Sequence, residues 1–533
     1  MVVVSLAIRH WNSNMSRAKD SVKDQDQTIL SLIEVTAKNF PNRIAIQQTK
    51  GQNVTYSELI NKARRIGGNL MLRGFQPRDR ALLLSKPGVD AVAWVLGVMY
   101  AGGVSVIADL GMGKVVFEER VKAAQPQWAL VDDAIILLTA MSPLMALARR
   151  RADIPDMSVV QGLNTFHHGN HPLLGLKYPD FRLLLRKTEL AKNTQKKRSQ
   201  EAIVVFTSGT TSKPKGVVHT VGSLVATLSL VGEIIKPKND AVFYTNLPYF
   251  LLIGIGLGVT VIVETKKPTP KSILSDLRKY KASIIFGPPG EVLPIVEYCR
   301  QRDLKIPHQI GHIYLGSAPV YSSFLKKLEA VLSPATVITC IYGMTEILPI
   351  ATVDGRLKLA TSVEGDLVGQ PVRGVKTRIL PDGELVVSGL HICKNYLGDD
   401  NVLSEIHTGD KVRLSGKNIV MVGRKKDMII RGDYNIYPAL YEPIIESIPG
   451  VRACALVGTY DKAKDDEKVV LAIEQDGSSS ISEASVAKKL RSGTYSIDIH
   501  ALPDEIVFMQ LPRSGRQLKI NKATIQAMVN KNG

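Results

Sequence analysis

The chain has 533 residues, of which 45% are hydrophobic and 22% charged, with a formal net charge of +19. That composition is globular and the length allows several domains around a large core, which excludes a disordered chain or a small stapled scaffold. Cys299, Cys340, Cys393 and Cys454 lie far apart with no C-x-x-C pair, which excludes a disulfide framework and a paired-cysteine zinc site and leads us to expect a reducing, cytoplasmic setting.

Residues 1–26 read as a polar tail. The apolar run at 2–7 is followed by Arg9 and His10 without a cleavage pattern, so no secretory signal is expected. From residue 29 onward helical and strand patterns alternate. The periodicity predicts an amphipathic helix over 30–40, a strand over 43–48, a helix over 56–72 and a strand over 80–84. A helix over 91–101, closed by Gly102-Gly103, and a buried strand over 104–107 follow. This βαβα order implies an α/β fold with parallel-rich sheets and flanking helices, whose ligands bind at the C-terminal ends of strands. His167, His168 and His171 have Phe, Gly, Asn and Pro as sequence neighbours and are read as a solvated loop rather than a metal cluster. Basic residues crowd 149–151 and 186–198, the second run being an exposed linker before the next strand.

Residues 204–219, VVFTSGTTSKPKGVVH, are the most informative run in the chain. A β-branched strand over 203–206 stops in Thr-Ser-Gly-Thr-Thr-Ser, and two lysines follow. Hydroxyls, free backbone N–H groups, flexible glycine and cations are what surrounds a polyphosphate. The run is not a Walker loop: counted from Gly209, the second required Gly is Pro214, and Gly216 rather than Ser or Thr follows Lys215. The apolar stretch 241–263 contains Asn246, Pro248 and several glycines and reads as a buried strand–turn–helix unit, not a membrane span.

A strand over 312–315 delivers the small-residue loop GSAPV at 316–320, and a strand over 337–341 delivers YGMTE at 342–346. After residue 366 the composition shifts. Residues 375–389, VKTRILPDGELVVSG, form a hairpin signal around Asp382-Gly383 and suggest a small β subdomain. Beyond Arg424 come a strand over 428–431, a helix over 438–447, strands over 453–458 and 468–474, and a helix over 482–491, a compact α+β domain. The expected layout is a tail at 1–26, a large domain at 27–425 and a small mobile domain at 426–533.

These motifs, in this order, resemble those of the adenylate-forming superfamily of acyl-CoA synthetases, adenylation domains and luciferases. Residues 206–217 match its central motif [YF]-T-S-G-[ST]-[TS]-G-x-P-K-G-[VI], with Ser212 in place of one Gly. The resemblance implies that Thr207, Ser208, Gly209, Thr210, Thr211 and Lys215 hold the phosphates of ATP. It implies that Gly316, Ser317 and Ala318 lie along adenine, that Tyr342 and Gly343 pack beside it, and that Thr345 contacts a phosphate. Glu346, with Thr207, would hold Mg2+, a cation usually bound by one or two carboxylates and substrate phosphates. Asp410 in HTGDKV and Arg424 in VGRKKD match the ribose-binding pair, and Lys426 falls at the family's hinge. The closing segment at 503–522, PDEIVFMQLPRSGRQLKINK, lacks the family's Gly-Lys pair. Lys519 matches the catalytic lysine if one residue is inserted, and Lys522 and Arg516 are its rivals.

The activity implied is adenylation of a carboxylic acid with loss of pyrophosphate, followed by transfer to a thiol, with CoA the expected acceptor. Gly432-Asp433 stands where CoA-using relatives have a glycine pair. Phe250 and Leu251, in LPYFLLIGIGLG, fall in the acyl pocket. Amino-acid-activating relatives place Asp where Leu251 stands, and a buried ammonium without a counterion is strongly disfavoured, so a hydrophobic acid is expected, a fatty acid first and an aryl acid second. IADLGMG at 107–113, GSAPV at 316–320 and EILPI at 346–350 also resemble olefin β-lactone synthetases, in which the substrate's own hydroxyl displaces AMP. The basic surface would suit an acidic acyl-carrier protein or peripheral membrane contact, and no aromatic-interleaved basic motif points to nucleic acid. A non-catalytic nucleotide-binding homologue is the remaining alternative.

Overall fold

A computed structural model describes residues 27–532 apart from 109–113, 140–159, 161, 170–177, 194–196, 207–214, 239, 266, 433, 462–465, 478–480, 493, 496 and 515–518. The chain divides into two compact units. One comprises Met1–Pro268, Thr345–Leu348 and Leu390–Ser404; the other comprises Thr269–Met344, Pro349–Gly389 and Glu405–Gly533.

The first unit carries a sheet whose described strands run in the order Asn395–Tyr396, Gly216–Thr220, Glu201–Phe206, Val104–Ile107, Arg80–Leu84, Trp128–Asp132, Asn164–His168. From Glu201–Phe206 to Asn164–His168 every pairing is parallel. Gly216–Thr220 returns antiparallel to Glu201–Phe206, and Asn395–Tyr396 adds antiparallel to it. Apart from Asn164–His168, the parallel strands are largely apolar on both faces, as strands covered by helices must be. Leu82, Val104, Val106, Val131, Val204 and Val218 meet Phe117 and Val121 of the helix Lys114–Ala124 in one buried cluster. The expected helices at 56–72 and 91–101 are Tyr56–Leu72, started by a Thr55/Glu58 capping box, and Val89–Tyr100, buried at every residue but Asp90. A further group of parallel strands joins Ile44–Gln48, Thr260–Val263 and Val242–Tyr244. The stretch 241–263 is thus strand, buried helix (Pro248–Gly256) and strand, and among the described residues no helix is long and apolar enough to cross a membrane.

The histidine reading is overturned. His167 and His168 end a sheet strand, and neither stands in a solvated loop; His171 lies outside the described residues. Parallel pairing brings His168 level with Asp132. His168 places Nδ1 2.9 Å from Asp132 Oδ1 and Nε2 2.8 Å from Asp90 Oδ2, and His167 Nδ1 is 2.7 Å from Asp133 Oδ1. Burial opposes the charged form of His168, but the two carboxylates outweigh it and hold its imidazole at about 9. The carboxylates come from a neighbouring strand and a helix start, so no local sequence window contains them. The basic run at 186–198 does expose most of its described cations and is strapped down at Ala191, whose N–H donates to Arg64 O.

In the second unit Ile284–Gly287, His312–Leu315 and Val337–Met344 are parallel neighbours. The antiparallel strands Asp366–Pro371, Asn418–Arg424, Ile406–Ser415, Glu384–Ser388 and Lys376–Ile379 follow one another in that order. The hairpin expected at 375–389 is present, with Gly383 at φ 84° in its turn. Residues beyond 426 build a three-stranded sheet, Val451–Asp461 antiparallel to Asp466–Gln475 and the latter parallel to Glu505–Phe508. Side chains alternate faces along it. Cys454, Leu456, Val469, Leu471 and Ile473 pack with Ile445, Val486 and Leu490 of two helices. Ala453, Ala455, Val457, Val470 and Ala472 pack with Ile525 and Val529 of the helix Lys522–Asn532.

Candidate active site

In the first unit, the residues Thr207, Ser208, Gly209, Thr210 and Thr211 lie outside the described residues, but both strands that frame them are in place. Lys215 is exposed at the exit of the loop. Its Nζ lies 5.1 Å from the centre of the Tyr396 ring, within cation–π range. Glu346 is 6% exposed. Among the described residues its carboxylate has one partner, the Tyr396 hydroxyl, which donates to Oε1 at 3.1 Å. Its backbone is pinned on both sides. Cys393 N–H donates to Glu346 O at 2.8 Å, and His219 Nε2 lies 2.8 Å from Thr345 O. A carbonyl only accepts, so His219 must be the Nε2–H tautomer there. Burial, outweighing that hydrogen bond, pulls His219 down to about 4, so it is neutral at pH 7.

A buried carboxylate whose partner is a neutral phenol is costly unless a cation reaches it. Glu346 therefore suits Mg2+. Among the described residues no group of three or more His, Cys, Asp or Glu is placed to hold a metal ion.

Phe250 and Leu251 lie on Pro248–Gly256, a helix with Pro at its first turn and most residues fully buried. Tyr249 packs its ring 6.2 Å from the His219 ring. The expected apolar character of this segment is met on every side of the helix.

In the second unit, Asp410 and Arg424 face each other across the pair Ile406–Ser415 and Asn418–Arg424, in direct register. Asp410 is 2% exposed. Its Oδ2 accepts from the Tyr342 hydroxyl at 2.6 Å. Its Oδ1 lies 2.8 Å from Arg424 Nε yet has no aligned hydrogen-bond donor, which leaves a buried acceptor open. Burial pushes the Asp410 carboxyl up, with Arg424 and Tyr342 pulling the other way. Burial and then Asp410 push the Tyr342 hydroxyl well above its ordinary range. An open carboxylate oxygen beside a balanced charge fits the hydroxyls of a ribose.

Gly316 follows His312–Leu315, and a Cβ there would come 2.9 Å from Ile341 O, so the loop touches the next strand's backbone. Ser317 stands at φ 67°, a left-handed conformation that costs a non-glycine residue about 1–2 kcal/mol. Gly343 lies within Val337–Met344, which runs further than the strand expected at 337–341 and carries the YGM of the motif, while Thr345 and Glu346 belong to the other unit.

Lys519, in the short strand Lys519–Ile520, is half-buried. Burial first, then Arg424 and Lys426, pulls its ammonium down to about 8, with Asp410 attracting it. Lys522 is engaged elsewhere: its Nζ lies 2.6 Å from Oε1 of buried Glu442. Arg516 and Asp433 lie outside the described residues. Tyr396 and His219 were not found from sequence. Tyr396 sits in a two-residue strand with no periodic pattern, and the single signal for His219 is its place at the end of a motif.

The family profile described as AMP-binding enzyme matches residues 33–397, more than half of the chain. A feruloyl-CoA synthase of an Amycolatopsis species is 26% identical over 473 residues, spanning 83% of this chain and 88% of the relative. An olefin beta-lactone synthetase of Xanthomonas campestris pv. campestris is 24% identical over 516 residues, spanning 86% and 88%. The o-succinylbenzoate coenzyme A synthetase of Bacillus subtilis, solved with ATP and a magnesium ion, superposes with a TM-score of 0.73 at 20% identity, covering 92% of this chain and 98% of that one.

Proposed function

This chain belongs to the AMP-binding enzyme family, and on that premise we propose that it joins a carboxylic acid to the AMP moiety of ATP and passes the acyl group to the thiol of CoA. The observation that carries the reading is the pair of buried carboxylates, Glu346 open to a cation and Asp410 with an open acceptor beside Arg424.

In the first half-reaction an oxygen of the acid attacks the α-phosphorus of ATP, the bond to the β-phosphate breaks, and pyrophosphate leaves. Little covalent chemistry falls to the protein; positioning and charge stabilisation dominate. Lys215 and Thr207–Thr211 would hold the phosphates, and Asp410 with Arg424 the ribose. Gly316, Ser317, Ala318, Tyr342 and Gly343 would border adenine. Mg2+, held by Glu346 with Thr207, would supply charge neutralisation on the departing pyrophosphate. We assign the catalytic ammonium to Lys519. It stands near the ribose pair and free of an ion pair among the described residues, whereas Lys522 is committed to Glu442. In the second half-reaction the segment beyond Lys426 would withdraw Lys519 and admit the thiol.

The substrate is an apolar acid. Leu251 offers no counterion to an ammonium, and the Pro248–Gly256 helix is apolar throughout. Of the two expected classes, the relatives named for feruloyl and 2-succinylbenzoate favour an aryl acid over a fatty acid. The β-lactone reading stands second, on the likeness to the Xanthomonas protein. The test is acid-dependent release of AMP across aryl, fatty and β-hydroxy acids, with and without CoA. AMP release with aryl acids that rises with CoA supports the first reading. CoA-independent turnover confined to β-hydroxy acids moves the assignment to the second.

A further inference from the structure

The strand Asn395–Tyr396 and its flanks tie the two chemical elements of the first unit together. Asn395 pairs with Val218 and Tyr396 with Val217, on the strand that leaves the phosphate loop. Leu397 N–H donates to Gly216 O at 2.7 Å, and Gly216 is what permits this approach, since a Cβ there would sit 3.0 Å from Leu397 Cβ. Cys393, on the same strap, holds the backbone of Glu346. From this strap one half-buried side chain reaches both working groups. The Tyr396 hydroxyl donates to Glu346 Oε1, and its ring face receives the Lys215 ammonium.

We infer that Tyr396 is a positioning residue for metal-dependent nucleotide binding, orienting the Glu346 carboxylate through its hydroxyl and Lys215 through its ring. The inference rests on the function proposed above. Its physical basis is that Glu346 is buried with one donor among the described residues. A carboxylate held at Oε1 turns Oε2 in a fixed direction, and a hydrogen bond to a charged acceptor is among the stronger neutral-donor contacts. The ring contributes separately, because a cation over an aromatic face is attracted without a hydroxyl. The two contributions are thus separable by substitution.

The test is equilibrium binding of a non-hydrolysable ATP analogue, titrated with Mg2+, to the full chain and to Y396F and Y396L, with unliganded melting as a fold control. Y396F, which keeps the ring, is expected to need about tenfold more Mg2+ for half-maximal binding while analogue affinity at saturating Mg2+ stays as in the parent. Y396L is expected to show the same Mg2+ shift and, in addition, about a threefold loss of analogue affinity at saturating Mg2+. A purely structural role would lower melting without moving the Mg2+ midpoint of Y396F. An unchanged midpoint in Y396F overturns the inference and leaves the proposed function standing. Failure of the parent chain to bind the analogue at any Mg2+ concentration overturns both.

Discussion

Glu346 and Asp410 are both buried carboxylates, and each accepts a hydrogen bond from a tyrosine hydroxyl, yet their surroundings differ in charge. Asp410 is matched by Arg424 across a strand pair, so its charge is balanced and one oxygen is left open to neutral donors. Glu346, among the described residues, has a phenol and no cation. On the function proposed above, the same functional group would serve two kinds of ligand, hydroxyls at Asp410 and a metal ion at Glu346. Local charge balance, not burial, makes the distinction.

The hardest test of that contrast is to remove the acid that lacks a cation. Glu346→Ala is expected to lower AMP formation by about 10²–10³-fold, an effect partly recovered at high Mg2+ by Glu346→Gln; equal loss without any Mg2+ dependence would erase the contrast. Lys519→Ala should reduce adenylate formation by a similar factor, about 10²-fold or more, measured as acid-dependent pyrophosphate release, while thiol transfer from supplied acyl-adenylate continues. If Lys519→Ala is nearly silent and Lys522→Ala is not, the lysine assignment falls. Lys522→Ala should instead remove the cation beside buried Glu442, leaving it the Leu456 N–H, and cost about 2–3 kcal/mol of stability, read by denaturant unfolding, with turnover per folded molecule kept.

A pH series refines the charged half. Burial and the neighbouring Arg424 and Lys426 hold Lys519 down to about 8, below the ordinary lysine value, so its ammonium is about nine-tenths present at pH 7 and is lost as pH rises through 8. Adenylation is expected to fall about tenfold by one unit above that midpoint, and Lys519→Arg should flatten the fall. The sign for folding is the opposite: the unfolded chain keeps the proton longer, so this group's contribution to stability rises between about 8 and the free-lysine range. The smallest effect belongs to Tyr342→Phe, which frees Asp410 Oδ2 but leaves Arg424; about a fivefold rise in the KM for ATP is expected, at unchanged Mg2+ dependence.

Much of this was legible in the chain. The βαβα rhythm, the hairpin at Asp382-Gly383 and the small α+β region follow from periodicity and turn chemistry, and the described strands and helices lie within a few residues of expectation. Arg424 ends a strand and Glu346 lies in the turn that follows one, whereas Asp410 stands in the middle of Ile406–Ser415. What escaped were partners that meet through topology. His168 was misread because Asp132 and Asp90 reach it from elements 36 and 78 residues away. Tyr396 was missed because its two contacts, 50 residues back to Glu346 and across the sheet to Lys215, exist only once Asn395–Tyr396 has paired with Gly216–Thr220. Lys519 and Lys522 are three residues apart, and the sequence ranks Lys519 first only if one residue is inserted; the ion pair of Lys522 to Glu442, invisible in the sequence, supports that order.

The most direct measurement is AMP and pyrophosphate release from ATP by the purified chain supplied with CoA, with Mg2+ present or chelated, across a panel of aryl and fatty acids. The account predicts stoichiometric AMP and pyrophosphate that require both an acid and Mg2+. Release of ADP and phosphate instead, or no acid-dependent turnover and no Mg2+-dependent ATP binding with any acid, would contradict it.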